Sequence, residues 1–293
     1  MPEKIRAMFT GAKINQTEGR SVLHVALRCG EGKKIEVDGK NVVADVHEVL
    51  GKIKTFSEGV RAGTIKGFSG KRLVNTVVIG IGGSYLGPEF VHEALRFESG
   101  CNAAAQGRSL RFLANVDPVD VARATEGLDL EETLFVVNSK TFTTAETMLN
   151  ARTVRDLIVN HYRSTGVADA KDEEFVAKHI CAASTALEKT SEFGIAADNV
   201  FAFWDWVGGR YSVCSVIGVL PLALQYGFEN AEQFLRGAED IDNHLLENAD
   251  EPAKNVPLLL GLLGFFSTQI AGHSTRAILP YSQALIRFAA HIQ

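Results

Sequence analysis

Excess positive charge is missing from this chain. Its 30 Lys and Arg are outnumbered by 35 Asp and Glu, giving a net charge of -5 and a pI of about 5.9. No global field therefore favours nucleic acid or an anionic membrane, so neither is an expected partner, and any anion site must be local. Cysteine is scarce as well. Cys29, Cys101, Cys181 and Cys214 lie far apart with no CxxC pair. That argues against a disulfide framework or a zinc site and for free thiols in a reducing, cytoplasmic compartment. The eight histidines fall at no metal-ligand spacing, so no metal is expected. Glu3, Lys4 and Arg6 deprive the N-terminus of the apolar core a secretory leader needs. No internal repeat, low-complexity tract or long linker is present.

A long apolar run is nearly present. From Asn255 to Thr275 there is no formal charge if His273 is neutral, but the strongly apolar part stops at Phe266. A bilayer needs about 20 mostly apolar residues. The segment reads instead as a helix of a soluble protein, apolar on all sides and so with neighbours on most of its surface.

Residues 1–70 are mostly helical in pattern and punctuated by glycine. Strand character begins at Leu73. Val74–Ile79 is β-branched and ends in glycines, Leu110–Val116 stops at Asp117-Pro118, and Leu134–Asn138 is a third run. His179–Ser184 is a weaker fourth and Asn199–Phe203 a fifth. Helical spacing follows the first and third runs at Leu86–Phe97 and Ala145–Asn160. After Gly227 only helices are expected, at 231–246, 256–271 and 281–292. The alternation predicts an α/β fold, a doubly wound parallel sheet flanked by helices. Right-handed crossovers put every strand's C-terminal end on one edge, where ligands of such sheets bind.

Three segments built for anions follow the first, third and last strands. Gly80-Ile81-Gly82-Gly83-Ser84 fails the dinucleotide pattern, because position 85 is tyrosine. The backbone N–H groups of Gly82, Gly83 and Ser84 would suit a phosphate, or the segment is simply a tight strand-to-helix turn. Ser139-Lys140-Thr141-Phe142-Thr143-Thr144 sets hydroxyls and one ammonium before a helix. Hydroxyls and first-turn amides donate to phosphate oxygens, although a simple N-cap needs only one of them. Asp205-Trp206-Val207-Gly208-Gly209-Arg210-Tyr211-Ser212 fixes an arginine beside two glycines, just before a long apolar helix. Arg210 either faces an oxyanion or pairs with Asp205. Trp204 and Trp206 read as core anchors. A small phosphorylated metabolite is the ligand these segments suggest.

Together the segments resemble the glucose-6-phosphate isomerase (phosphoglucose isomerase) family. Asp205–Gly218 is similar to one family signature, Ile79–Pro88 to its first phosphate loop and Ser139–Thr144 to its second. Lys13–Arg20 and His273–Phe288 are also similar to family segments. The resemblance implies a sugar-isomerase (SIS) fold, with residues 1–70 as an N-terminal helical segment and 71–228 as a first SIS domain. Residues 229–293 would lead into a second, incomplete one. It implies reversible aldose–ketose isomerisation of glucose 6-phosphate and fructose 6-phosphate, with no metal or organic cofactor. Ser139, Lys140, Thr141 and Thr144 would hold the phosphate, Gly83 and Ser84 would line the sugar, and Arg210 would stabilise the enediolate. The family works as a homodimer.

Family members extend further at both ends. Their glutamate base, ring-opening histidine and essential lysine belong to segments not found among these residues. His273, His291, Glu18 and Glu146 do not occupy those motifs. Isomerisation through an enediol needs a positioned base, so the chain alone is expected to bind sugar phosphate weakly or not at all and to be inactive. Its last helices are expected to expose an apolar patch. A non-catalytic sugar-phosphate-binding module and a structural remnant are the competing expectations.

Overall fold

The computed structural model describes all 293 residues, and its centre is built from strands that are apolar on both faces. In chain order, helix α1 (Pro2–Phe9) leads to a 3-10 turn (His24–Leu27). A hairpin of β1 (Glu36–Val37) and β2 (Lys40–Asn41) and helix α2 (Val42–Ala62) follow. Next come β3 (Asn75–Ile79), α3 (Gly83–Leu95), α4 (Ser99–Ala104), β4 (Ser109–Leu113) and α5 (Pro118–Thr125). Then β5 (Thr133–Asn138), α6 (Ala145–Ser164), α7 (Asp172–His179), β6 (Ile180–Ala183), α8 (Leu187–Glu192) and β7 (Val200–Phe201) complete the sheet region. The chain closes with α9 (Val216–Tyr226), α10 (Phe228–Glu247), α11 (Val256–Phe265) and α12 (Phe288–Ile292).

The sheet runs β4-β3-β5-β6-β7 with every pair parallel, as the alternation of strands and helices predicted. Val77, Ile79, Phe135, Val137 and Ala182 face α6 and α7 on one side. Their neighbours Val78, Leu134, Val136, Cys181 and Ala183 face α2 and α9 on the other. This is the period-2 alternation of a sheet buried on both faces. The chain winds outward from β3 in one direction and from β5 in the other, so the strand order reverses between them. The C-terminal ends of β3 and β5 flank the crevice that this reversal opens.

The N-terminal segment differs from the mostly helical reading. Its middle is the β1–β2 hairpin, where Asp38 and Gly39 both take positive φ. Helix α2 buries Val46, Ile53, Phe56 and Val60 in the same core as α9. Its N-cap Asn41 accepts from the Val43 amide, and Gly63 ends it in the left-handed region. The helix expected over 281–292 shrinks to a 3-10 turn at Gln283–Leu285 and α12. That terminus packs on α3 through Arg287–Glu89 at 2.7 Å and His291 stacked on Phe90. Trp204 and Trp206 stack on each other at 4.9 Å and pack against the core.

The apolar run after Asn255 departs most from the sequence-based expectation of neighbours all round. Asn255 starts α11 by accepting from the Leu258 amide, and a π-helical turn (Phe266–Ile270) follows. Leu260, Leu263 and Phe265 are 62%, 60% and 61% exposed. The surface is therefore apolar and uncovered, in line with the patch expected on the family resemblance. No helix is long and apolar enough to cross a membrane. A solvatochromic dye should bind this face strongly, and joint Leu260→Gln and Leu263→Gln substitution should cut the signal severalfold. An unchanged signal in the double variant would locate the dye elsewhere.

His92 lies between α3 and α9, its Nδ1 2.7 Å from the Tyr226 hydroxyl. Burial lowers its pKa from 6.5 to about 4. His24 moves the same way, through burial and then the neighbouring Arg28. The unfolded chain takes up these protons near pH 6.5 and the native state only near 4. Stability is thus complete above the first value and drains away as pH falls toward the second. The urea midpoint should drop across that window, and His92→Gln should flatten the slope. Equal slopes for both proteins would refute this account.

Candidate anion-binding site

The three loops singled out from sequence all emerge at the C-terminal ends of strands, after β3, β5 and β7. Each touches the other two. The first and second meet through Asn138, the last residue of β5, which is 1% exposed. Its Nδ2 donates to Ser84 O at 3.2 Å and to Ile217 O at 2.9 Å. The first and third meet backbone to backbone. A Cβ added to Gly83 would lie 2.5 Å from Gly209 O, so only glycine allows this approach. Ser212 Oγ adds a hydrogen bond to Gly83 O at 3.1 Å. The second and third meet through Lys140, whose ammonium donates to Asp205 O at 2.7 Å and Val207 O at 2.8 Å.

In the first loop Gly82 sits at φ 59°, ψ -122° as the N-cap of α3, a conformation that side chains resist. The expectation that Gly82, Gly83 and Ser84 all present free amides needs correcting. The Ser84 N–H is taken by Ile81 O at 3.2 Å, because the chain tightens by one turn as it enters the helix. The Gly82 and Gly83 amides have no peptide partner.

The second loop is held open. From Lys140 to Thr147 no backbone N–H donates to another peptide carbonyl. Thr144 is the N-cap of α6, yet its hydroxyl caps nothing, so capping does not explain the run of hydroxyls. Ser139 is 3% exposed and its Oγ has no partner. Thr141 and Thr143 hydroxyls lie 2.7 Å apart. Phe142 adopts φ 53°, a strained value for a side-chain-bearing residue. Its buried ring packs edge-on against Phe193 at 5.6 Å and so fixes the bend. Behind the loop, Lys140 O accepts from the Thr185 amide and hydroxyl at 3.0 and 2.7 Å. The result is a bent row of donors at a helix start, the arrangement that holds oxyanions.

In the third loop the pairing of Arg210 with Asp205 does not occur. Asp205 carboxylate lies 3.9 Å from Arg20 instead. Arg210 has no carboxylate partner, and its Nε is buried without any partner. Its Nη1 would be 4.0 Å from a Cβ on Gly82, so the guanidinium stands beside the first loop. Burial, then the Arg210 charge, lowers the pKa of His291. Burial, then Arg20, lowers that of Lys140. An uncompensated arginine facing free amides is a site prepared for negative charge.

The structure thus brings Gly83, Ser84, Ser139, Lys140, Thr141, Thr144 and Arg210 onto three mutually touching loops. Lys140 reaches into a cleft of about 340 Å³ shared with Arg20, Asp205 and Trp206. Sequence reasoning gave Asn138, Phe142 and Ser212 no role of their own. The signal for Asn138 was an amide ending the otherwise apolar Leu134–Val137 run. Nothing in the sequence marked the Phe142 backbone.

A model of the family described as phosphoglucose isomerase matches residues 1–293. The chain is 57% identical to the cytosolic glucose-6-phosphate isomerase of Spinacia oleracea, covering all of this chain and 50% of that protein. It is 56% identical to the cytosolic enzyme of Arabidopsis thaliana at the same coverage. The chain therefore spans about half the length of these relatives. A solved glucose-6-phosphate isomerase from Chlamydia trachomatis superposes with a TM-score of 0.78 at 30% identity, over 100% of this chain and 52% of that one.

Gly83→Ala should destabilise the protein by roughly 1–3 kcal/mol through overpacking, read from the denaturant midpoint. Gly208→Ala, with open space around its Cβ, should be close to neutral. Equal effects for the two would deny the close approach its role.

Proposed function

The chain belongs to the phosphoglucose isomerase family, and we propose that it supplies the phosphate-holding half of a glucose-6-phosphate isomerase. The reaction is the interconversion of glucose 6-phosphate and fructose 6-phosphate through an enediol. Ser139, Thr141 and Thr144, with the free amides around them, receive the substrate phosphate. Lys140 ties that loop to residues 205–207 and adds positive charge behind it. Gly83 and Ser84 line the sugar. Arg210 stabilises the charge that develops on the enediolate oxygen, a role suited to a preorganised cation shielded from water. The observation that carries this reading is the closed ring of contacts joining the three loops, with an unpaired guanidinium and a row of unpaired amides on it.

The proton shift between adjacent carbons needs a base. Arginine does not deprotonate in proteins, and Arg210 has no carboxylate beside it to serve in its place. We propose that the base belongs to the half of the relatives' length that this chain does not span. We assign residues 71–228 as one sugar-isomerase domain, with 1–70 packed on it and 229–293 reaching toward another. The whole protein acts as a homodimer in the cytosol, the compartment named for the plant relatives.

Calorimetry with fructose 6-phosphate should show weak binding to the 293-residue chain, because the loops that would hold the phosphate are already formed, and Thr141→Glu should abolish it. A coupled assay should show no turnover. Absence of binding sinks the proposal for the loops. Turnover at an ordinary rate, about 1–1,000 per second, sinks the assignment of the base.

A further inference from the structure

A second polar cleft, of about 470 Å³, opens beside edge strand β4 and the last turn of α9. It shares no residue with the three loops. Arg96, Arg108 and Arg111 line it, with Glu93 as the one carboxylate. Arg108 donates to Leu224 O at 3.0 Å and Leu73 O at 2.8 Å. Behind it Arg61 donates to Leu224 O, Gln225 O and Ala104 O at 3.1, 2.8 and 2.8 Å. Arg72 donates to Arg61 O at 2.7 Å. Arg96 pairs with Glu93 at 3.5 Å, whereas Arg61, Arg72, Arg108 and Arg111 each lack a carboxylate partner. Burial, then the charges of Arg61 and Arg72, lowers the Arg108 pKa to about 10. Peptide carbonyls satisfy the hydrogen bonds of these cations but leave their net charge uncompensated, which costs most at the half-buried Arg61 and Arg108.

Gln225 also lines the cleft. Gln225 is only 5% exposed, and its Oε1 has no hydrogen-bond partner. A native protein rarely leaves such an atom unsatisfied. A ligand that brings negative charge for the arginines and, after a small turn of the side chain, a hydrogen-bond donor for Gln225 would match this lining. We propose that this cleft binds a small oxyanion carrying an O–H group, namely hydrogen phosphate or a phosphorylated polyol. Arg108 takes the charge, joined by Arg96 on release from Glu93, and Gln225 accepts from the O–H. Sulfate, which has the charge but no proton at neutral pH, fits less well.

The test is calorimetry of inorganic phosphate against the 293-residue chain carrying Thr141→Glu, which silences the loops of the proposed substrate site. Phosphate should still bind, at least about tenfold tighter than sulfate, the scale of one lost charged hydrogen bond. Arg96→Glu, at an exposed position, should weaken it by about tenfold or more. Gln225→Leu should weaken it similarly while leaving thermal stability unchanged or raised, since it removes a buried unsatisfied atom. Glycerol 3-phosphate then assigns the source. Tighter binding than phosphate indicates a metabolite, weaker or equal binding indicates the free ion, and either upholds the cleft. No phosphate binding in the Thr141→Glu background overturns the proposal, and so does binding indifferent to both cleft substitutions. Neither result bears on the three loops, which fructose 6-phosphate tests separately.

Discussion

One buried amide sets the geometry on which the rest depends. Asn138 ends the central strand β5 and reaches sideways to two helices, holding Ser84 O at the start of α3 and Ile217 O at the start of α9. Both carbonyls lie in the first turns of their helices, so one side chain positions two helix entrances relative to one strand. Because β5 is clamped between β3 and β6, that position is rigid. The contact of Gly83 with Gly209 and the reach of Lys140 to residues 205–207 then complete a ring. Side-chain amides buried this deeply cost free energy unless satisfied, and the two carbonyls satisfy the donor half.

Electrostatics explains how an acidic chain can carry a candidate anion site. The net charge of -5 is distributed over the surface, where water and salt screen it. The anion-facing groups are few, local and partly removed from solvent. Arg210 is left without a counterion, and Lys140 neutralises no carboxylate but ties two loops through carbonyls. Helix dipoles of α3 and α6 add partial positive charge at the same edge. Local desolvation therefore outweighs the global balance.

Much of this was legible from residues alone. The five strands were readable because β-branched runs buried on both faces have few other interpretations, and the helix after Thr144 because its spacing is regular. The loops carried their chemistry openly in glycines, hydroxyls and one arginine. The short helices α4, α5, α7 and α8 were not readable, since six to eight residues give too little periodicity. The alternatives for Arg210 and for the hydroxyl run needed coordinates. Only these show that Asp205 turns to Arg20 and that Thr144 caps nothing. The φ of Phe142 was hidden because tertiary packing against Phe193 imposes it against intrinsic preference.

The strand order has a consequence for how the molecule comes into being. The loops after β3, β5 and β7 are remote along the chain, and parallel pairing of β3 with both β4 and β5 requires long-range closure before any local reward. A partly assembled sheet therefore has no complete cradle. Any anion caught by all three loops recognises the finished sheet alone and draws the population toward it by mass action. Ligand capture at the proposed site would thus double as a proofreader of assembly.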